Sequence, residues 1–229
     1  MQSGFIDSHV HLQDFEELPD SAYSQSPCLI PAIQGEDNRQ LAVRCQSARF
    51  ALGYHPMFLP ESIDWQAFGQ LLDEGGFCAV GECGLDRRAP DRARQHEVFE
   101  SQIRLAMERD LPLVIHGVGC LDELVDLSRR YRFRGVLHFY QYKTIPEVFR
   151  ASDLYFGYCA KMQRSSRSRK LFAQMPRDRI LVETDGDAHT PPCWQALGSA
   201  YRDLAKLRNE PLDGLVQQVA QNYEALFAK

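Results

Sequence analysis

The sequence predicts an α/β fold, a compact (β/α)8 TIM-type barrel formed by a single domain over residues 1–229. Three observations predict it. Short apolar runs rich in β-branched residues alternate with longer stretches of helical periodicity. Runs such as Leu111-Pro112-Leu113-Val114-Ile115 and Arg179-Ile180-Leu181-Val182 are near-continuously apolar, as strands buried on both faces require. No low-complexity tract, internal repeat or linker-like Gly/Ser run divides the chain.

In chain order, strands are read at residues 5–9, 28–33, 49–54, 77–82, 112–116, 135–139, 154–157 and 179–183. Helical patterns lie between them. The clearest covers residues 91–109, where Val98, Phe99, Ile103 and Ala106 form one stripe. Gly75-Gly76 and Pro176 punctuate two of the joins. Eight such units describe a barrel. A doubly wound open sheet is the structural alternative, and it too places a site at the carboxyl ends of its strands.

Composition excludes several classes. The 44% hydrophobic and 25% charged content is that of a folded globular chain. A chain of this length buries roughly 70% of its unfolded surface, so any bound metal is there for chemistry and not to hold the fold together. The longest uncharged stretch, residues 21–35, is mostly polar and too short to span a bilayer. The first residues lack the basic region and apolar core of a signal peptide. Seven cysteines without a C-x-x-C pair read as free thiols, so a cytoplasmic location is expected. The net charge is −5, yet thirteen of the 26 basic residues fall in three short windows, at 87–94, 129–134 and 161–170. Each reads either as a solvated helix face or, with the others, as a surface for a polyanion.

Six side chains at strand ends carry the chemistry. His9 and His11 close the first strand, and alternate residues of an extended chain face one side. Glu82 ends the fourth strand, His116 the fifth and His138 the sixth, while Asp185 follows the eighth. In a parallel barrel these ends converge on one face, where the metal site is expected. Four imidazoles and two carboxylates exceed what one tetrahedral ion needs and suit two ions sharing a bridging carboxylate. His55 ends the third strand on the same face but off the main cluster, and is assigned to substrate contact. His96 reads as a surface residue of the long helix, and His189 lies near the mouth. Phe139, Tyr140, Tyr142 and Tyr158 are candidates for stacking bases, with core packing as the alternative.

These pieces together resemble the TatD family of metal-dependent hydrolases, within the amidohydrolase-like barrels. The matching segments are Phe5-Ile6-Asp7-Ser8-His9-Val10-His11-Leu12, Gly53-Tyr54-His55-Pro56, Val80-Gly81-Glu82-Cys83-Gly84-Leu85-Asp86, Leu111 to His116, and Leu181-Val182-Glu183-Thr184-Asp185. The helix beginning Arg94-Gln95, with Phe99 and Gln102, and the closing Asn222-Tyr223-Glu224-Ala225-Leu226-Phe227 are similar as well. The resemblance implies one or two divalent ions, with His9, His11 and Asp185 at the first, Glu82 bridging, and His116 and His138 at the second. It implies deoxyribonuclease activity, since relatives often trim single strands from the 3′ end. Some relatives are D-aminoacyl-tRNA deacylases, and others belong to multi-protein bacterial antiviral systems, which leaves protein partners open.

The chain departs from the family at the rim. His116 is followed by Gly117-Val118-Gly119 in place of Ser-Arg, His138 by Phe139-Tyr140-Gln141 in place of Cys-Phe-Ser-Gly, and Asp185 by Gly186-Asp187 in place of Ala-Pro or Ser-Pro. The chain is also a few tens of residues short. No ligand is lost, and Arg87 or Arg88 stands ready to replace the missing rim arginine. The expected function is metal-dependent phosphodiester hydrolysis, acting as a deoxyribonuclease on single-stranded or frayed DNA ends. Asp185 is the expected general base and Glu82 the spacer between two divalent ions, Mg²⁺ or Mn²⁺ in use and Zn²⁺ as an alternative occupant. His55, Arg87, Tyr140 and Lys161 are the expected substrate contacts. The alternatives are an amide or ester hydrolase, such as a D-aminoacyl-tRNA deacylase, and a catalytically silent subunit that binds nucleic acid or a partner.

Overall fold

Seven parallel strands pair in sequence order in the computed structural model, which describes residues 4–228. They are β1 (Cys28–Pro31), β2 (Ala48–Leu52), β3 (Phe77–Asp86), β4 (Leu113–Val118), β5 (Gly135–Leu137), β6 (Leu154–Cys159) and β7 (Ile180–Glu183). All seven coincide with expected strands. The order never reverses, so the doubly wound alternative is excluded.

The first expected strand is the exception. Residues 5–11 form only single bridges, yet they occupy the gap between β1 and β7. Leu29 N–H donates to the Asp7 carbonyl (2.9 Å) on one side, and Ser8 N–H donates to the Val182 carbonyl (3.0 Å) on the other. Asp185 N–H donates to the His9 carbonyl at 3.0 Å and His11 N–H to Gly186 at 2.8 Å. The ring is therefore closed, but side chains interrupt the ladder. Thr184 N–H goes to the Asp7 carboxylate (2.9 Å), which also accepts from the Thr184 and Tyr23 hydroxyls. Burial pushes the Asp7 pKa up to about 7 against those bonds.

Helices cover the ring unevenly. They are α1 (Trp65–Asp73), α2 (Arg92–Glu108), α3 (Leu121–Tyr131), α4 (Glu147–Arg150), α5 (Ser166–Gln174), α6 (Trp194–Arg208) and α7 (Leu212–Phe227). The first two crossovers carry no α-helix, only 3₁₀ turns at Leu12–Asp14, Ser21–Ser24 and Arg39–Val43. Pro19, Pro27 and Gly35 interrupt these stretches, where an α-helix would be broken. No helix among the described residues is long and apolar enough to cross a membrane, and all seven cysteines are free thiols.

The α2 helix does more than cover the sheet. The Asp91 side chain caps it by accepting from Arg94 N–H, and Val98, Phe99, Ile103 and Ala106 are buried as the stripe requires. Two glutamines on the same face are also buried. Gln95 Oε1 accepts from Asp86 N–H (2.9 Å), and Gln102 accepts from Tyr54 N–H (2.8 Å) while donating to the Tyr54 carbonyl (3.2 Å). Both bonds pin segments that leave the strand ends.

Topology separates the basic windows. Arg129 to Arg134 lie at and just after the end of α3, where the Arg134 carbonyl accepts from Leu113 N–H at the start of β4. That is the far end of the barrel, so this window cannot serve the mouth. Residues 87–94 and 161–170 follow the carboxyl ends of β3 and β6 and do lie on the mouth side. Replacing Gln102 with Met keeps the volume and removes both partners of Tyr54. The expected loss is about 1–3 kcal/mol, read as a fall in Tm of roughly 3–10 °C; an unchanged Tm would show that the clamp is dispensable.

Candidate metal centre

The centre is built around one residue that the sheet turns out of register. Gly81 pairs with Val114 and Cys83 with Ile115, so Glu82 is an extra residue in β3. Such a bulge re-aims a side chain, here into the barrel mouth. Gly84 permits the close approach that follows: at φ +137°, a Cβ there would stand 2.0 Å from the His116 carbonyl oxygen. Glu82 is 2% exposed at the floor of a cavity of about 1010 Å³.

Five imidazoles surround its carboxylate, and they divide between its two oxygens. On the Oε2 side stand His9 Nε2 (3.1 Å) and His11 Nε2 (3.5 Å), which are 3.2 Å from each other. Asp185 Oδ1 lies 3.9 Å from both nitrogens. On the Oε1 side stand His138 Nε2 (2.8 Å), His116 Nδ1 (2.9 Å) and His55 Nε2 (3.2 Å). His116 Nδ1 is 3.3 Å from His138 Nε2 and 3.1 Å from His55 Nε2.

The donor set and spacing fit a divalent cation. A tetrahedral ion with bonds near 2.1 Å holds its ligand atoms ~3.4 Å apart, and these atoms lie 2.8–3.9 Å apart. The rings of His9 and His138 stack at 4.0 Å and 9°, and neither Nδ1 has a hydrogen-bond partner. Their hydrogen-bond contacts are made at the Nε2 ends, inside the cluster, with Glu183 Oε1 further off at 3.7 Å from His138 Nδ1. Burial would raise the Glu82 pKa, but His138, His55, His9 and the His116 hydrogen bond hold it well below the usual carboxylate range. Burial opposes protonation of His138, yet Glu82 and Glu183 hold its pKa well above that of a free imidazole. Without metal, the buried negative charge is thus balanced by protons, which a cation would displace.

Neighbouring residues decide which nitrogen faces inward. His116 Nε2–H donates to Asp86 Oδ2 (2.8 Å), which leaves the Nδ1 lone pair for a metal. Arg88 donates to the same carboxylate (2.6 Å), and His116 and Arg88 hold the Asp86 pKa low against burial. Glu183 Oε1 lies 3.7 Å from His138 Nδ1 and accepts from Phe139 N–H. His55 differs from the others. Its Nδ1 accepts from Met57 N–H (3.1 Å), so the neutral ring carries its proton on Nε2 and presents a donor to the floor. Gln13 Nε2 stands 3.2 Å from His11 Nδ1 and also donates to the Pro31 carbonyl (2.9 Å), which fixes the amide nitrogen on that side.

The structure brings His9, His11, Glu82, His116, His138 and Asp185 together, and it sets the four expected substrate contacts in different surroundings. His55 lies within the cluster rather than off it. Lys161 is exposed, and its Nζ donates to the Asp185 carboxylate (3.1 Å) and main-chain carbonyl. With His138 and His9 it holds the Asp185 pKa low against burial. Arg88 lines the cavity, whereas Arg87 packs beside Gly119. Tyr140 is 1% exposed, wedged against Tyr142 and Phe156 with its hydroxyl on the Thr144 carbonyl, and cannot reach a substrate. Tyr158 is equally buried, its hydroxyl on Asp203, while Phe139 and His189 line the cavity. His96 is partly exposed near Glu123.

Sequence reasoning passed over Asp86 and Glu183. The signal was present in each case: Asp86 shares the strand parity of Glu82, and Glu183 shares that of Asp185. Replacing Asp86 with Asn is expected to weaken Mn²⁺ binding about 10–100-fold while the protein stays folded, as read by titration calorimetry and circular dichroism. Unchanged affinity would remove Asp86 from the account of the site.

Comparison with known proteins identifies the family. The profile of the family described as TatD related DNase matches residues 6–228. The protein named Uncharacterized metal-dependent hydrolase YjjV, from Escherichia coli (strain K12), is 28% identical, with 97% of each chain covered. The 3′-5′ ssDNA/RNA exonuclease TatD of Erwinia tasmaniensis is 28% identical over 69% of each chain. The crystal structure of the Escherichia coli YjjV, a TatD homologue, covers 100% of both chains with a TM-score of 0.87 and 27% identity. With a barrel of this topology, a cation-fitting cluster at its mouth and a family match along nearly its whole length, the chain belongs to the TatD related DNase family of metal-dependent hydrolases.

Proposed function

We propose that this chain is a divalent-metal-dependent phosphodiesterase that removes nucleotides from single-stranded or frayed DNA ends. The observation that carries the reading is the Glu82 carboxylate, with one oxygen in each of two ligand groups. His9, His11, Asp185 and Glu82 would hold one ion, and Glu82, His116 and His138 the other, with Mg²⁺ or Mn²⁺ in use and Zn²⁺ an alternative. Bound there, the ions supply charge neutralisation for an attacked phosphate and acidify a water molecule.

The chain's own groups do the rest. Asp185 has one oxygen held by Lys161 and the other facing His9 and His11. Kept ionised by that pairing, it takes the proton of the attacking water and returns one to the leaving oxygen. His55 offers its Nε2–H to a non-bridging phosphate oxygen. Arg88, with its guanidinium fixed on Asp86, adds positive charge at the wall. Arg164, Arg167 and Lys170 are exposed on the mouth side and suit phosphates further along a strand. The ligand imidazoles are at most 8% exposed, which favours an end that can thread inward over an intact duplex.

The direct test is a time course on 5′-labelled single- and double-stranded DNA with Mg²⁺, run with and without EDTA beside a D-aminoacyl-tRNA. We expect an EDTA-sensitive ladder from the single strand. His116→Ala should lose more than about a hundredfold in turnover with little change in Tm. Asp185→Asn should lose roughly 10²–10⁴-fold. Deacylation of the tRNA with intact DNA would move the substrate to the ester class, and metal-loaded protein that cleaves neither would overturn the hydrolytic reading.

A further inference from the structure

Among the described residues, four large apolar side chains are exposed, and two of them, Met57 (42%) and Phe58 (50%), are neighbours on the wall of the metal-site cavity. Single exposed apolar residues need no explanation, but an adjacent pair at a polar mouth does. Their position is also fixed. Met57 N–H donates to His55 Nδ1 (3.1 Å) and Phe58 N–H to the His55 carbonyl (3.0 Å), and Pro56 and Pro60 flank the pair. The segment therefore moves with His55, whose own backbone neighbour is clamped by Gln102.

We propose that Phe58, backed by Met57, is the platform on which the base of the terminal nucleotide stacks while its phosphate lies at the cluster. This rests on the nuclease reading above. The Phe58 ring centroid is 5.3 Å from that of His55, and His55 Nε2 is 3.2 Å from Glu82 Oε1. One ring thus separates the platform from the reacting floor, the relation of a base to its own phosphate across a sugar. Arg88 reaches the same patch, with Nη2 3.8 Å from Met57 Sδ, and places a cation beside the apolar surface. An apolar ring next to fixed positive charge matches a nucleotide, which carries a flat base and an anionic linkage. Of the four aromatics expected to stack from the sequence, Tyr140 and Tyr158 are buried, Tyr142 holds its hydroxyl on Cys120 N–H, and Phe139 lines the cavity without the exposure of Phe58. Stacking on a lone phenyl face is tolerant of base identity, so the site requires a base without selecting one.

The test compares kcat and KM for wild type, Phe58→Ala and Phe58→Trp on one oligonucleotide and on versions with an abasic residue at either end. Wild type should lose about five- to a hundredfold in kcat/KM when the base at the attacked end is missing. Phe58→Ala should lose as much on the normal strand, mainly through KM, and lose little more on the abasic strand. Phe58→Trp should restore the wild-type pattern, and Mn²⁺ affinity should be the same in all three. Equal wild-type rates on normal and abasic ends would overturn the platform while leaving the nuclease reading intact. So would a Phe58→Ala loss of equal size on both substrates. Wild-type protein that cleaves no strand would overturn both.

Discussion

An ionised carboxylate buried at the floor of a barrel must be met by positive charge, and at Glu82 this need organises the whole mouth. Each oxygen faces its own set of imidazole nitrogens, so the residue divides the cluster into two halves. Desolvating such a group without compensation costs several kcal/mol. Neutral imidazoles only 3.2 Å apart compensate incompletely, because a proton shared between the two nitrogens is not available to the carboxylate. Divalent cations resolve that conflict by replacing shared protons with bonds to lone pairs.

The fold is arranged to hold this geometry. A bulge turns Glu82 inward, and the irregular closing segment delivers His9 and His11 between β1 and β7. Behind the ligands, Asp86 and Glu183 face the outer nitrogens of His116 and His138, while Gln95 and Gln102 tie the loops to a covering helix. Rigid positioning of this kind is what electrostatic preorganisation demands of a hydrolytic site. Arg88, Met57 and Phe58 occupy the wall of the same cavity, next to His55.

Much of this was legible in the sequence. Buried parallel strands are continuous apolar runs, so residues 28–31 and 180–183 announce themselves, and the six ligand candidates each sit where such a run ends. The closing segment was read as a strand because Phe5, Ile6 and Val10 look like one; Asp7 took the bond that a regular ladder would have used. His55 was placed outside the cluster because strand ends do not reveal how far a loop folds back. Tyr140 and Lys161 illustrate the same limit. Exposure and partner choice are tertiary properties, and neither an aromatic ring nor a lysine declares them locally. The window at 129–134 was misleading for a topological reason: helices run against strands, so a charge cluster at a helix end faces away from the mouth.

Anomalous diffraction from crystals soaked in Mn²⁺ tests the central claim most directly. We expect two peaks about 3.5–4 Å apart, one bonded to each oxygen of Glu82, with His9, His11 and Asp185 around the first and His116 and His138 around the second. A Glu82 carboxylate that touches no metal in fully soaked crystals, or a lone peak outside both ligand groups, would contradict it.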